Sequence, residues 1–279
     1  MNDVTVVVVS HNRREQVLRT LPRHQAPVIL VDNASTDGTA EAVTAHAPDV
    51  QVLRLPVNAG AAARNVGARL AGTRFVAFAD DDSYWADGAL GEAARVLAAH
   101  PTTALLTARV LVGPQARLDP VSAGMATAPL GTPPALPGPA VLGFLACAAV
   151  VRRDAFLGCG GFQPKFHVYG EEALLAMDLA AAGWGLAYVP SLVVHHLPAP
   201  AGRDPARRRR QETRNALLTT WLRRPARRAL RTAAQSLSTP DGRAGLRAAL
   251  TDLPWALRHR RRVPPRVEAA LRVLESSAQ

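Results

Sequence analysis

Three apolar runs that each end in a polar or acidic cluster constrain this chain more than any other feature. Residues 5–10 are almost wholly β-branched, as expected of a strand buried on both faces. Residues 28–31, 50–55 and 74–79 read as further strands, with helical patterns between them over 15–23, 39–47 and 59–70. The order β-α-β-α-β-α-β predicts an α/β fold, a mostly parallel sheet with right-handed crossovers and helices on both faces. Such sheets bind ligands at the carboxyl ends of their strands. Ser10-His11-Asn12, Asp32-Asn33 and Asp80-Asp81-Asp82 all fall there.

The later chain is less regular. Residues 89–99 read as a helix, 104–112 as a strand, 142–151 as a strand, 171–182 as a helix, and 184–189 and 192–194 as short strands. Residues 114–139 are rich in Pro, Gly and Ala without strong periodicity; a loop that long in a compact domain is functional or mobile.

Charge divides the chain. Residues 203–279 hold 19 of the 33 basic and 6 of the 22 acidic side chains, a net of +13 against −2 for residues 1–202. This predicts a folded body over 1–202 and a basic helical extension over 203–279, with breaks at Pro225, at Pro240-Asp241-Gly242 and at Val263-Pro264-Pro265. Its Arg/Leu helices suit anionic lipid, a polyanion, a dimer contact or packing back on the body. Few aromatics interleave the arginines, so nucleic acid is not an expected partner. Lys165 is the only lysine, an arginine bias of the kind a GC-rich bacterial coding sequence produces.

With 48% hydrophobic residues in 279, the chain can bury a large core, which excludes wholesale disorder. Cys147 and Cys159 make neither a disulfide framework nor a zinc site and read as buried thiols. The N-terminus lacks signal-peptide features, and the longest apolar stretch, 139–151, is short of the ~20 residues that span a bilayer. The expectation is a cytoplasmic protein, at most peripheral to the inner face of the membrane.

Three adjacent carboxylates at 80–82 repel one another unless exposed or balanced by a cation. A divalent ion bridging them to a diphosphate answers that need. The segment 32–39 superficially suggests a calcium loop, but Ala34 and Val43 occupy its third and twelfth positions, so calcium is excluded. It serves as a strand-to-helix turn in which Ser35 or Asp37 caps the helix and Asp32 is left to accept from a base or sugar.

The segments Val9-Ser10-His11-Asn12-Arg13, Val31-Asp32-Asn33-Ala34-Ser35-Thr36-Asp37-Gly38-Thr39, Asn58-Ala59-Gly60-Ala61-Ala62-Ala63-Arg64-Asn65-Val66-Gly67 and Phe78-Ala79-Asp80-Asp81-Asp82 resemble those of glycosyltransferase family 2, in order and approximate spacing. The resemblance continues through Gly160-Gly161-Phe162, Tyr169-Gly170-Glu171-Glu172 and Val193-Val194-His195-His196, covering about residues 4–200. It implies the GT-A nucleotide-sugar fold and an inverting transferase that uses Mg2+ or Mn2+. By position, Ser10, Asn12, Arg13, Asp32, Asn33, Arg64, Asn65, Asp80 and Asp81 would line the nucleotide sugar, with Asp32 at the base and Asp80 near the ribose. Asp82 would hold the metal together with His195 or His196. Glu172 matches the catalytic base; the commoner pattern has Glu-Asp where this chain has Glu-Glu, so Glu171 is the alternative.

One-step displacement at an anomeric carbon needs a base for the acceptor hydroxyl and positive charge for the departing diphosphate. Two acidic clusters 90 positions apart meet that need only if the fold brings them together. The implied donor is a UDP-, dTDP- or GDP-linked sugar, and the acceptor a glycan or small molecule. The rival readings are a metal-dependent nucleotidyltransferase, and a non-catalytic anion- or membrane-binding protein driven by the arginines.

Overall fold

A computed structural model describes residues 3–198 and 204–277; the predicted boundary at 202/203 lies outside them. In chain order the elements are β1 (Val4–Ser10), α1 (Arg14–Thr20), β2 (Val28–Asp32), α2 (Thr39–His46), β3 (Gln51–Arg54), α3 (Ala63–Leu70), β4 (Phe75–Asp80), β5 (Ser83–Trp85) and α4 (Ala89–Ala99). They continue with β6 (Thr103–Val112), β7 (Arg117–Leu118), α5 (Pro120–Ala126), β8 (Ala149–Arg152), α6 (Arg153–Gly158), α7 (Glu171–Ala181) and β9 (Gly185–His196). The helices α8 (Pro205–Arg223), α9 (Ala226–Ser236), α10 (Pro240–Thr251), α11 (Leu253–Arg258) and α12 (Pro265–Ser277) follow.

One mixed sheet runs β3-β2-β1-β4-β8-β6-β9-β5, with β7 on β6. Strands β3, β2, β1 and β4 are mutually parallel, as the alternating pattern predicts. Beyond β4 the sheet departs from a parallel one: β8 runs antiparallel to both β4 and β6, and β5 antiparallel to β9. Alternate residues of β1 feed opposite cores. Val4, Val6 and Val8 pack with Val17 of α1, Val43 of α2 and Leu97 of α4; Val7 packs with α3, Phe156 of α6 and Leu175 of α7.

Three expectations change. The apolar run 142–151 yields strand only at Ala149–Arg152, because a 3-10 turn at Ala146–Ala148 precedes it; Phe144 and Ala146 are buried outside any strand. An apolar run reports burial, not strand. The two short strands at 184–194 are one strand, β9, whose register against β6 slips between Ala108 and Arg109, and it extends through both histidines. The 114–139 segment contains α5, started by Asp119 accepting from the Val121 and Ser122 amides.

The C-terminal helices break at the predicted prolines, with a further break at Asp252. They bury Leu217, Leu218, Trp221 and Leu222 against Phe166 and Leu174, while Val263, Val267 and Leu271 cover Met177 of α7. Both cysteines are free, Cys147 buried and Cys159 half-buried. Among the described residues, no helix is long and apolar enough to cross a membrane.

His24 closes the 3-10 turn Leu21–Arg23 with both ring nitrogens shut from solvent and unpartnered. Burial lowers its pKa from 6.5 to about 4. Unfolding therefore takes up a proton between those values, and stability falls as pH drops from 6.5 towards 4. This one group contributes up to about 3 kcal/mol to that loss. Equilibrium denaturation of His24→Phe across this range should give a shallower acid limb than the parent; an unchanged limb contradicts the neutral buried ring.

Candidate active site

Sheet register gathers the predicted clusters. Ser10 lies opposite Asp32 and Val9 opposite Asp80, so the three strand ends share one edge. Asp32 is fully buried, its Oδ1 accepting from the Ser35 amide at 3.2 Å. Its Oδ2 has no hydrogen-bond partner, and Arg54 Nε stands 3.6 Å away. Ser35 and Arg54, the neighbours of the Asp32 carboxylate, also line a cavity of about 410 Å3 with Ala34, Thr36, Leu55 and Pro56. A buried carboxylate oxygen with an unspent acceptor beside a cavity suits an N–H-bearing ligand edge. Ser10 Oγ is likewise buried and unpartnered.

Several predicted residues hold loops in place. Asn12, at φ 55°, accepts from the Thr36 amide at 2.7 Å and donates its own amide to Ser35 Oγ at 3.0 Å, stitching the first two loops together. Arg13 precedes α1 half-buried, and its charge reaches Asp81. Asn33 spends its side chain on the backbone, donating to Gly60 O at 3.1 Å and accepting from Ala59 N at 2.8 Å. Asn65 makes a reciprocal pair with Phe162, amide to carbonyl and carbonyl to amide, both at 2.8 Å. Asn33 and Asn65 therefore shape the lining through their neighbours' backbone.

Arg64 is buried and paired with Asp80. Burial alone disfavours its charge, but Asp80, Glu171 and Glu172 outweigh that and hold it protonated above its ordinary range. Its Nε is buried without a partner. Helix α3 can bring Arg64 here because Gly67 lies against the sheet: an added Cβ would sit 2.4 Å from Val7 Cγ1.

Burial first, then the charges of Asp82 and Asp80, push Asp81 up to about 7. Asp82 Oδ1 lies 3.2 Å from His196 Nε2, and that hydrogen bond is the largest cause of the raised His196 pKa. β5 creates this contact by pairing Ser83 with His196. His195 points the other way, stacked on Tyr84 at 5.0 Å between ring centroids. Strand alternation thus separates the two histidines: His196 meets Asp82 and His195 does not.

Among the described residues no group of three or more His, Cys, Asp or Glu converges on one point. The Asp82–His196 pair supplies one oxygen and one nitrogen, which fits a divalent ion that completes its shell with ligand phosphate oxygens and water.

Glu171 and Glu172 open α7 behind Gly170 at φ 85°. Glu171 is 5% exposed with Oε2 unpartnered, whereas Glu172 is half-buried. Burial, the largest cause, raises the pKa of both. Asp80 pairs with Arg64, and the charges of Glu171 and Glu172 favour the same guanidinium, so both acidic clusters lie within electrostatic reach of it. Sequence reasoning missed Arg54, β5 and the α8 residues behind the Glu171 turn; only a three-residue Ser-Tyr-Trp alternation marked β5.

Comparison with known proteins follows the same lines. A sequence profile described as "Glycosyl transferase family 2" matches residues 5–157. The chain is 29% identical over 213 residues to an N-acetylglucosaminyl-diphospho-decaprenol L-rhamnosyltransferase of Mycobacterium tuberculosis, covering 64% of this chain and 69% of that protein. It is 33% identical over 209 residues to a pre-mycofactocin glycosyltransferase of the same organism, covering 70% of this chain but 42% of that one. The fold is similar to that of the mannosyltransferase PcManGT from Pyrobaculum calidifontis in complex with GDP-Man and Mn2+ (TM-score 0.60, 22% identity, 99% of this chain and 76% of that one). It is also similar to that of S. aureus TarS 1–349 in complex with UDP-GlcNAc (TM-score 0.64, 18% identity, 96% and 83%). On its sequence match and its GT-A architecture, the chain belongs to glycosyltransferase family 2 and is a glycosyltransferase.

Proposed function

We propose that the enzyme is an inverting transferase that moves a sugar from a UDP-, dTDP- or GDP-linked donor to an acceptor hydroxyl in a single displacement, with Mg2+ or Mn2+ as cofactor. The observation that carries this reading is the Arg64–Asp80 pair, with Glu171 and Glu172 near enough for their charges to act on the same guanidinium. It sets the strand-end acids, suited to a nucleotide, against a second carboxylate pair suited to deprotonating an acceptor. Asp32 takes an N–H of the base through its unspent oxygen, and Asp80 lies towards the ribose. Asp82 and His196 hold the ion, which when bound stabilises negative charge on the diphosphate. Glu172 accepts the acceptor's proton as the hydroxyl oxygen bonds to the anomeric carbon and the bond to the diphosphate breaks; its partial exposure gives it the access that Glu171 lacks.

Ligand at a hundredfold its dissociation constant adds about 2.7 kcal/mol, several degrees in thermal unfolding. UDP, dTDP or GDP with Mn2+ should produce such a shift, EDTA should reduce it, and Asp82→Asn should erase the metal-dependent part. A metal-dependent shift that persists in Asp82→Asn refutes the ion site.

Glu172→Gln should leave that shift intact while abolishing release of nucleoside diphosphate. Both glutamate pKa values lie above the usual carboxylate range, so kcat should rise with pH with its midpoint above that range. Pyrophosphate as product would point instead to nucleotidyl transfer. Should Glu171→Gln alone stop turnover, the base moves by one residue.

For the acceptor side we propose docking of residues 203–279 on an anionic bilayer that carries a lipid-linked glycan. Leu230, Leu237, Leu250 and Leu257 are exposed on or beside α9–α11, among the exposed Arg227, Arg231 and Arg247, and the segment carries a net +13. Exposed leucines among arginines suit the interface of an anionic membrane. The rhamnosyltransferase relative, whose name specifies a diphospho-decaprenol substrate, supports the same class of acceptor. The protein should co-sediment with phosphatidylglycerol-containing vesicles and not with phosphatidylcholine vesicles, and Leu230→Ser with Leu250→Ser should weaken that binding. Failure to bind anionic vesicles, with a dimer in solution or transfer to a water-soluble acceptor, would overturn the membrane reading.

A further inference from the structure

The glutamates of α7 are aimed by the segment before them, and that segment does not hold its path alone. His167 and Tyr169 have φ of 60° and 71°, followed by Gly170 at 85°. Two of the three are not glycine, so the left-handed turn must be imposed from outside.

Five successive carbonyls in this segment are captured. Ala61 N donates to His167 O at 2.6 Å from the donor side of the cleft. The other four are taken by side chains of α8. Arg214 Nη1 donates to Lys165 O at 3.1 Å, and Gln211 Nε2 to Phe166 O at 3.0 Å. Asn215 Nδ2 lies 2.9 Å from Phe166 O, 2.9 Å from Val168 O and 2.6 Å from Tyr169 O. Gln211, Arg214 and Asn215 are spaced to share one helix face.

Asn215 is fully buried, and its carbonyl oxygen accepts from Arg214 Nη1 at 2.6 Å. Its amide has two hydrogens for three carbonyls, so one hydrogen is shared between two acceptors. Only an amide of this size fits the task. Aspartate would turn lone pairs towards carbonyl lone pairs, and leucine would strand buried carbonyls. On the opposite side, Gly60 admits the loop: a Cβ there would lie 2.2 Å from His167 O.

We infer that Asn215 is a positioning residue for the Glu171–Glu172 pair, fixing the left-handed turn from which α7 begins and so making the C-terminal helices part of the machinery that aims the base. This rests on the reading of that pair as the base given under Proposed function. It extends that reading to a residue outside the span that resembles the family, in a helix whose composition marks it only as basic.

The test uses the full chain. Nucleoside diphosphate release from UDP-N-acetylglucosamine, dTDP-L-rhamnose and GDP-mannose, with water as acceptor, is measured beside hydrogen exchange of residues 164–171 and 28–36. Asn215→Leu should lower kcat about a hundredfold, the scale of a small misplacement of a reacting group, with donor KM nearly unchanged. Exchange should rise at 164–171 and stay constant at 28–36.

If a glutamate substitution stops turnover while folded Asn215→Leu retains kcat within about twofold, the positioning role is wrong and the base reading stands. If neither Glu171→Gln nor Glu172→Gln affects turnover, the base reading fails and takes this inference with it. Should Asn215→Leu not fold, Gln211→Ala removes one of the two donors to Phe166 O. It should lower kcat about tenfold with the same local rise in exchange, and unchanged kcat and exchange would overturn the inference.

Discussion

One buried guanidinium joins two parts of the chain that lie far apart in sequence. Arg64 pairs with Asp80 at the end of β4, its guanidinium carbon lies 5.8 Å from the Phe162 ring centroid, and the charges of the glutamates that open α7 act on it as well. Carboxylates brought near one another repel. A single arginine allows them to share a cleft. Removing it would leave buried charges uncompensated, a larger penalty than the pair's own net contribution. The placement reaches back to Gly67, one turn along α3, whose missing side chain lets the helix lie against Val7.

Strands β1, β2 and β4 were readable because they are buried on both faces. Runs such as residues 5–10 and 28–31 have no polar face to confuse the pattern, and their polar ends fall where the sheet register brings them together. In the mixed half β6, α7 and most of β9 fall where the pattern put them, but the antiparallel pairing of β8 and β5 was not readable. Residues 142–151 are as apolar as a strand, yet Phe144 fills the core from irregular chain and Ala146–Ala148 from a 3-10 turn. The His195–His196 ambiguity disappears only once β5 and β9 pair, since alternation then sends one ring to Asp82 and the other to Tyr84. Asn33 and Asn65 show the limit of reading residue types. Both stand where a ligand contact is expected, and both spend their amides on neighbouring backbone. Sequence displays which groups are polar; only the fold displays which are still free.

The basic C-terminal segment carries two populations of arginine. Arg223 pairs with Asp178 of α7, Arg214 with Asp252, and Arg224 with Glu268 and Glu275. These are struts between helices and between the extension and the body. Others, including Arg227, Arg231 and Arg247, stand in solvent beside exposed leucines. Composition counts both alike. The internal pairs carry no weight for a partner, and the exposed ones are the part available to an anionic surface.

Backbone strain follows the same geography. Among the described residues, five that are not glycine have positive φ, and four of them, Asn12, Ala34, His167 and Tyr169, stand on the loops that form the cleft. Each such loop is held by contacts from elsewhere. Thr36 and Ser35 engage Asn12, Asp32 engages the turn after Ala34, and Asn215 with Ala61 engages the segment of His167 and Tyr169. A strained turn persists only where its surroundings over-determine it. The clasp on 166–169 comes from both sides, the turn at Gly60–Ala62 next to Asn33 and helix α8 of the extension. A disturbance at either end therefore reaches the start of α7 through backbone hydrogen bonds rather than through the core. The Gly60–Ala62 turn and the C-terminal helices meet at the segment from which α7 begins.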